Sequence, residues 1–291
     1  MRRWSVRALL PSCLLLVAGL PCVLTVGPLI LARSAAVRVV LILFGPGIYV
    51  LAYVAIAGGL SQIGRRAIVP GRFPRDLGHA VYGPRRIYSL CWTALYYFPP
   101  AYHAVLAVPL LKRFVFRMFG YSGSMAFTTY PDTWLRDLPL LTVGEGSYLS
   151  NRATISPNMC LRNGKILIAP IAIGCRAMIG HGTLVAPGVV IGSESEVGAG
   201  GTIGIFVKIG DHTRVGHAVS LDHGVVIGSH CNVGSRAYVG RNVVIYDGIS
   251  IPPGAIVATA VVLRTQCDVD TLLHSKVPTS PQPAISASGH S

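Results

Sequence analysis

An aliphatic residue stands at every sixth position from Val143 to Leu263, twenty-one times in succession. Glycine directly follows many of these aliphatic residues, as at Gly204 and Gly228. A period of six is three times the two-residue period of a β-strand and fits no helix, so the pattern predicts a short strand and a turn, repeated many times. The aliphatic side chains are expected to fill a narrow core, and glycine relieves crowding beside them.

The repeat resembles the hexapeptide-repeat family, whose chains wind into a parallel β-helix of triangular section. The resemblance implies an all-β, left-handed parallel β-helix over residues 143–264, with three hexapeptides in each coil and nearly seven coils. At about 4.8 Å per strand layer, this β-helix is on the order of 30 Å tall. Most members of the family are acyltransferases that use an acyl-CoA or acyl-carrier thioester, and a minority are zinc carbonic anhydrases.

Charge is divided unevenly along the chain. The first 120 residues contain 14 Lys and Arg but a single acid, Asp76, whereas the remaining residues are nearly balanced. Three stretches of this first part carry no charge, namely residues 8–32, 39–64 and 87–111. Each exceeds the roughly 20 residues needed to cross a bilayer, so residues 1–120 are predicted to form an α-helical transmembrane region. The positive charge then fits contact with anionic membrane lipid and not with nucleic acid.

The distribution of arginine predicts the orientation of this region. The loop 65–86 contains six arginines, against two between the first two apolar stretches, which places the loop and the N-terminus on the cytoplasmic side. In the third stretch, Pro99 and Pro100 lie near the middle and Lys112 and Arg113 follow. This arrangement favours a re-entrant or interfacial hairpin, with a kinked span as the alternative. The predicted location is a bacterial inner (plasma) membrane, multi-pass, with the β-helix facing the cytoplasm.

The flanks of the repeat have separate predictions. Residues 121–142 are expected to connect the membrane region to the repeat and to cover its open end, because terminal repeats need a cap. The tail 265–291 is rich in Pro, Ser and Ala and is expected to be disordered from about residue 275. A signal peptide is the alternative for residues 8–32, but that stretch lacks an obvious small-residue cleavage site.

Histidines are the candidate catalytic groups of the repeat. Residues 221–228 resemble a motif of hexapeptide-repeat sugar N- and O-acetyltransferases, in which a histidine is the general base. The resemblance assigns this role to His223, with His217 as the second candidate and a structural role for both as the alternative. In the family an acidic residue follows the histidine, whereas here Gly224 follows it and Asp222 precedes it. Asp222 is the candidate for orienting the imidazole. Imidazole suits the removal of a proton from an acceptor hydroxyl or amine, because its ordinary pKa lies near neutral pH.

The resemblance also implies how a donor binds. Acetyl-CoA or another acyl-CoA is expected in the groove between neighbouring protomers of a homotrimer, and no metal is expected. Pro253 and Gly254 resemble the proline–glycine element near the C-terminal coils of the family. Lys208 and Arg241 are candidates for contacts with the nucleotide phosphates, and an exposed, solubilising role is the alternative for both.

One further column of polar residues is predicted by the length of the coil. Arg176, Glu194, His212 and His230 follow one another at the interval of three hexapeptides, which is one full coil. They are therefore expected to stack one above another. Alternating charge on such an outward ladder is typical of a solvated face.

Three functions stay open from the sequence. The favoured one is a membrane-bound O- or N-acetyltransferase with a lipid-linked or saccharide acceptor, since a membrane anchor raises encounters with an amphiphilic acceptor. Residues 215–228 also resemble the stretch of γ-class carbonic anhydrases that supplies two zinc ligands, which makes His181, His217 and His223 alternative metal ligands. In that family the two close histidines are five apart, whereas here they are six apart. The third possibility is a non-catalytic membrane scaffold in which the β-helix serves only trimerisation.

Overall fold

The structure, a computed structural model, describes residues 3–274 and the side chains of residues 9–273. Its N-terminal part begins with two long helices, α1 (Arg3–Leu31) and α2 (Ala35–Arg65). Both are long and apolar enough to cross a membrane, by length and composition. Many of their apolar side chains between Leu14 and Leu51 are exposed, so no protein surface covers them in the described chain. These helices coincide with the first two predicted apolar stretches.

The third apolar stretch does not form one continuous helix. It is divided among α3 (Tyr82–Tyr96), α4 (Pro99–Ala107) and α5 (Pro109–Met118). Pro99 and Pro109 each occupy the first turn of a new helix, where proline is tolerated because its missing N–H is not needed there. At 1.5 Å per residue, α4 and α5 are each only about 15 Å long, too short to cross the hydrocarbon core alone. The re-entrant or interfacial hairpin stays a prediction.

Residues 128–263 wind into a parallel β-helix with three seven-stranded sheets. Corresponding residues of successive coils are 18 apart, so Ile191 pairs with Ile209 and Ile209 with Ile227. The inward aliphatic side chain of each of these strands is at most 2% exposed. The predicted parallel β-helix with three strands per coil is confirmed.

The strands are short. In chain order they are β1 (Gly71–Pro74), β2 (Thr128–Thr129), β3 (Trp134–Leu135), β4 (Leu141–Val143), β5 (Tyr148–Leu149), β6 (Thr154–Ile155), β7 (Asn158–Cys160), β8 (Lys165–Ile168), β9 (Ile171–Ile173), β10 (Met178–Ile179), β11 (Leu184–Val185), β12 (Val190–Ile191), β13 (Glu196–Val197), β14 (Thr202–Ile203), β15 (Lys208–Ile209), β16 (Arg214–Val215), β17 (Ser220–Leu221), β18 (Val226–Ile227), β19 (Asn232–Val233), β20 (Tyr238–Val239), β21 (Val244–Ile245), β22 (Ser250–Ile251), β23 (Ile256–Val257) and β24 (Val262–Leu263).

The prediction of an uninterrupted repeat is wrong between Ile155 and Ile173. There the chain leaves the coil as an antiparallel hairpin of β7 and β8, which we call the inserted hairpin, and β1 pairs antiparallel with β8. Val143 pairs with Ile173, so this coil is longer than the others by the length of two hexapeptides. The insertion therefore leaves the period of six intact. Leu161 and Leu167, counted in the repeat, lie outside the core of the coils.

The N-terminal end of the β-helix is also built differently from the prediction. Strands β2, β3 and β4 are the first strands of the three sheets, so residues 128–143 belong to the coils and do not cap them. Helices α3 and α5 supply the cover. The indole Nε1 of Trp92 donates to the Leu135 carbonyl at 2.6 Å, and the Tyr88 hydroxyl donates to the Phe119 carbonyl at 2.8 Å. Aromatic side chains of the helical region thus close the apolar core, which an exposed first coil would leave open to water.

A short helix packs at the opposite end of the β-helix. Helix α6 (Gln266–His274) follows the last strand and buries Val269 against the core. The first part of the predicted tail is therefore ordered. The expected disorder from about residue 275 lies outside the described residues.

A buried ion pair joins the helical region, the first coil and the inserted hairpin. Arg85 of α3 donates to Asp137 Oδ2 at 2.6 Å, and Asn158 of β7 donates to the same oxygen at 2.5 Å. The side chains of Arg85 and Asp137 are only 3% and 2% exposed. Loss of one partner from such a pair leaves an uncompensated buried charge and costs about 3–5 kcal/mol. The pair therefore holds the base of the inserted hairpin in a fixed position against the coils.

Candidate functional site

The turns of the β-helix stack into three corners, and side chains there bridge successive coils. At one corner, His217 Nδ1 accepts a hydrogen bond from the Ala199 backbone N–H at 3.0 Å. At the next corner along the chain, His223 Nδ1 accepts from the Ile205 backbone N–H at 3.0 Å. Each bond joins two residues that are one full coil apart. The two candidate histidines therefore lie at different corners of the same coil stack.

His223 lies in an open groove at its corner, and its side chain is 44% exposed. Three parts of the chain build this groove: β1, the inserted hairpin and the corner itself. The other lining residues are Arg72, Leu161, Leu167, Ile205, Phe206, Gly224, Arg241 and Asn242. The hairpin holds its place through Leu167, which packs outside the coils against Ala186 and Ile205. The groove thus combines apolar walls with two exposed arginines, Arg72 and Arg241.

Asp222 is a carboxylate in contact with His223. Its Oδ1 accepts the His223 backbone N–H at 2.6 Å and lies 3.6 Å from the imidazole Nδ1. Its Oδ2 accepts from the Tyr238 hydroxyl at 3.5 Å and lies 3.9 Å from Arg241 Nε. The carboxylate therefore stands between the imidazole and a guanidinium of the next coil.

The hydrogen bond at Nδ1 determines where the neutral imidazole of His223 carries its proton. A backbone N–H can only donate, so Nδ1 accepts and the proton of the neutral ring is on Nε2. A ring in this form donates from Nε2 and cannot remove a proton there. For Nε2 to act as a base, the ring proton must be on Nδ1. The Asp222 carboxylate, 3.6 Å from Nδ1, could accept a hydrogen bond from that proton after a small rotation of the ring.

His217 lies in a second groove with different neighbours. This groove is also lined by Ala218, Ser235, Arg236, Pro253 and Gly254. Within the described residues, no carboxylate makes a hydrogen bond or ion pair with His217. The structure therefore places Pro253 and Gly254 in the groove of His217. It places Arg241 in the groove of His223. Lys208 is exposed on β15 and lines neither groove.

The three histidines of the alternative zinc site do not converge within one chain. His181 and His217 occupy the same corner two coils apart, which is about 10 Å at 4.8 Å per layer. His223 is at the next corner. Across residues 3–274, no group of three His, Cys, Asp or Glu side chains is arranged to hold a metal ion.

The predicted column of polar residues is confirmed. Glu194 pairs with Arg176, and its Oε2 lies 3.2 Å from His212 Nδ1. The rings of His212 and His230 stack with their centroids 5.0 Å apart. The hydrogen bond and charge of Arg176 lower the pKa of the Glu194 carboxyl below its ordinary value. The charged side chains of this column are well exposed, as expected for a solvated ladder.

The inserted hairpin and Arg72 were missed by the sequence analysis. The hairpin had a local signal, the Asn163-Gly164 pair, which is typical of tight turns between antiparallel strands. In the structure Gly164 has a φ of 75°, and Asn163 Oδ1 accepts the Lys165 backbone N–H at 3.1 Å. Arg72 had no such signal, because only the pairing of β1 with β8 brings it to the groove.

Comparison with solved structures finds limited overlap. The acetyltransferase domain of PglB from Neisseria gonorrhoeae is 15% identical over 32% of this chain and 45% of that chain, with a TM-score of 0.32. LpxA, a UDP-N-acetylglucosamine acyltransferase from Bacteroides fragilis, is 22% identical over 46% of this chain and 59% of that chain, with a TM-score of 0.32. PerB from Caulobacter crescentus, in complex with CoA and GDP-perosamine, is 21% identical over 51% and 60%, with a TM-score of 0.27. The chain spans about half the length of these structures, and overlap at these TM-scores carries no functional argument.

Comparison of sequences identifies the repeat. No curated protein matches the chain. Residues 206–241 match the family model described as "Bacterial transferase hexapeptide (six repeats)", and this segment contains His217, Asp222, His223 and Arg241. The same residues form coils of three strands, and each strand pairs with the strand one coil later. Residues 206–241 are therefore similar to the hexapeptide repeat of bacterial transferases.

Proposed function

We infer that this transferase moves an acyl group, most simply acetyl, from acyl-CoA to a hydroxyl or amine, with His223 as the general base. The observation that carries this inference is the groove in which a half-exposed imidazole lies 3.6 Å from a carboxylate and beside two arginines. Imidazole is the commonest general base in enzymes. His217 has no such carboxylate among the described residues and is the weaker candidate.

The proposed reaction needs one proton transfer and one substitution at the thioester. Nε2 of His223 removes the proton from the acceptor oxygen or nitrogen as that atom attacks the carbonyl carbon of the acyl-CoA. The new C–O or C–N bond forms, the C–S bond breaks, and CoA leaves as a thiolate that takes up a proton. Asp222 has a positioning role in this proposal. When the ring turns away from the Ile205 N–H, the carboxylate accepts a hydrogen bond from a proton on Nδ1, and Nε2 is then free to accept.

The acceptor proposed is amphiphilic or a saccharide attached to the membrane. Strand β1 begins shortly after the end of α2 and carries Arg72 into the groove of His223. The end of an apolar helix is thus connected by a short segment to the wall of the catalytic groove. In this proposal the chain is a multi-pass protein of the bacterial inner (plasma) membrane, and the β-helix faces the cytoplasm, where acyl-CoA is available.

A homotrimer is part of the proposal. Pro253 and Gly254 lie at the His217 corner, whereas the candidate base His223 lies at the next one. One protomer alone therefore does not bring the proposed donor contacts to the base. In a trimer, the groove between neighbours would hold the acyl-CoA with Pro253 and Gly254 of one protomer and His223 of the next, and Arg241 and Lys208 remain candidates for its phosphates.

The test uses the purified full-length protein in detergent with acetyl-CoA that is radiolabelled in the acetyl group. A lipid extract and a water-soluble extract of bacterial cells supply acceptors. Release of CoA and label recovered in either extract are measured for the wild type, His223→Ala and the matched control His217→Ala. We expect transfer by the wild type and His217→Ala, and loss of transfer in His223→Ala with the oligomeric state unchanged.

Three results would contradict this proposal. Zinc bound in stoichiometric amount and lost in His223→Ala would favour hydration chemistry of the carbonic anhydrase type. Equal transfer by the wild type and His223→Ala would exclude this histidine as the base. Absence of transfer and of zinc in every variant, with intact trimers, would favour the non-catalytic scaffold.

A further inference from the structure

Helix α5 has one face inside the protein and one face without a protein partner. Its inner face buries Val115 and Phe116 completely. On the opposite side, Leu110 and Phe114 are 76% and 58% exposed, although both are large and apolar. Such side chains are rarely placed together on a surface that meets only water.

Two arginines share this outer face. Leu110, Arg113, Phe114 and Arg117 are spaced at i, i+3, i+4 and i+7, so they form one stripe along the helix, which we call the α5 stripe. Open grooves with mostly apolar lining lie on both sides of Arg113. Arginines beside leucine and phenylalanine can extend their charge to lipid headgroups while the apolar side chains enter the membrane surface.

The arginines of the stripe have no anionic partner in the described part of the chain. Arg117 donates to the backbone carbonyls of Tyr121 and Gly123, at 2.9 and 3.1 Å, and Arg113 makes no ion pair there. The first 120 residues contain one acid, Asp76, against 14 basic residues. Asp137 neutralises Arg85, but no carboxylate of the described residues pairs with Arg113 or Arg117. An anion for the α5 stripe would therefore come from outside the described chain. Lys112 does not share this anion, because its ammonium is turned inward to the Phe127 carbonyl at 2.7 Å.

The position of α5 relative to α2 sets its depth. Helix α2 has 31 residues and is about 46 Å long, about 15 Å longer than the hydrocarbon core of a bilayer. Its buried residues all lie between Tyr53 and Gly64, whereas apolar side chains before Tyr53 are exposed. The end of α5 docks on this buried part, since Gln62 Nε2 donates to the Met118 carbonyl at 2.7 Å. The C-terminal end of α5 therefore lies beside the buried part of α2, and the exposed apolar part of α2 before Tyr53 is the part available to hydrocarbon.

We propose that the α5 stripe is a binding surface for anionic lipid headgroups, with Leu110 and Phe114 inserted among the lipids and Arg113 and Arg117 on their phosphates. Helix α5 packs against α2, whose apolar side chains from Val37 to Leu51 are largely exposed. The α5 stripe is separate from the groove of His223 and does not depend on the catalytic assignment. This lipid contact would hold helices α3 and α5, which cover the N-terminal end of the β-helix, at the membrane surface.

The first arm of the test locates the stripe. The full-length chain carrying Phe114→Trp is reconstituted in nanodiscs of phosphatidylcholine and phosphatidylglycerol, with or without bromine atoms near the top of the acyl chains. The control is Tyr246→Trp, at a residue that is 49% exposed on the β-helix. Quenching is measured relative to the wild-type chain, whose own three tryptophans give a background signal. We expect bromine to quench the added indole at position 114 and not the one at position 246. Equal quenching of both by aqueous acrylamide, or protection of position 114 from both quenchers, would overturn the proposal in favour of water or a covering protein.

The second arm tests the charge. The double variant Arg113→Gln/Arg117→Gln is compared with Arg152→Gln/Arg236→Gln, two exposed arginines at corners of the β-helix. Retention of phosphatidylglycerol by the purified protein is measured by native mass spectrometry. Each arginine near the surface of an anionic membrane raises lipid affinity about fivefold. We therefore expect Arg113→Gln/Arg117→Gln to lower the affinity for phosphatidylglycerol about 25-fold and the control variant to change it little. An equal loss in both pairs, or in neither, would refute a specific lipid contact.

Discussion

Replacement of Asp222 by asparagine tests the proposed chemistry at one atom pair. The amide oxygen of asparagine can still accept the His223 backbone N–H, which Asp222 Oδ1 accepts at 2.6 Å. The negative charge 3.6 Å from Nδ1 is lost. Without it, the imidazole keeps the hydrogen bond from the Ile205 N–H, and its proton stays on Nε2. The base is then in the wrong form even though the corner keeps its shape.

The magnitude follows from the exposure of the carboxylate. A hydrogen bond to a charged group contributes about 1.5–3 kcal/mol. The Asp222 side chain is 26% exposed and has Arg241 Nε at 3.9 Å, and both solvent and that charge reduce the effect to the lower part of this range. A loss of about 1.5–2 kcal/mol in the transition state lowers the rate about 10- to 30-fold, since 1.36 kcal/mol is tenfold.

The assay is CoA release from acetyl-CoA, followed by chromatography because exposed protein thiols would react with a thiol reagent. Asp247→Asn is the control for loss of a corner carboxylate, since Asp247 Oδ1 accepts the Ser229 N–H at 2.7 Å at a different corner from His223. We expect a reduced rate in Asp222→Asn alone. A wild-type rate in Asp222→Asn, beside an inactive His223→Ala, would refute the assignment of the Nδ1 proton to this carboxylate. An equal drop in Asp247→Asn would show a general effect of corner geometry.

Three further outcomes concern stability and the groove. Asp137→Asn should lower the free energy of unfolding by about 3–5 kcal/mol, because it leaves the charge of the buried Arg85 uncompensated. Adding Arg85→Met should restore part of this stability in thermal unfolding, and no recovery would mean that the buried charge is not the cause. Ile209→Ala should lower the free energy of unfolding by about 2–5 kcal/mol, since the Ile209 side chain is 2% exposed in the core. Lys208→Ala on the outer surface should change thermal unfolding little, and similar effects of the two substitutions would contradict the inward orientation of Ile209. Leu167→Ser should detach the inserted hairpin from the coils, so that a protease cleaves it more readily and CoA release falls while the coils stay folded. An unchanged cleavage pattern would show that this leucine does not hold the hairpin.

The sequence determined the coil because the coil is a local and repeated structure. An inward aliphatic residue every six positions fixes three strands per turn, and residues one coil apart then pair in register, as Ile209 and Ile227 do. The same arithmetic placed Glu194, His212 and His230 in one column. The long uncharged stretches likewise indicated α1 and α2, because length and composition alone decide whether a helix can span a bilayer.

The sequence did not reveal where the coil is interrupted, because the insertion has the length of two hexapeptides. Leu161 and Leu167 satisfy the period of six, yet both lie outside the coils. Periodicity records the spacing of apolar residues and not the identity of the strand with which each one pairs. Only the long-range pairing of β1 with β8 and of Val143 with Ile173 distinguishes a coil with an insertion from an uninterrupted repeat.

The candidate site is divided in the same way. Resemblance over residues 221–228 indicated His223 and its neighbour Asp222, and the structure places them 3.6 Å apart. The wall of the groove, the tautomer of the imidazole and the separation of Pro253 from His223 depend on contacts between distant parts of the chain. The repeating coil and the residues at its corners follow from the sequence, since each hexapeptide specifies its own turn. The tertiary structure alone decided which corners acquire a groove, because a groove needs a second segment, and Arg72 reaches His223 only through strand pairing that no local pattern encodes.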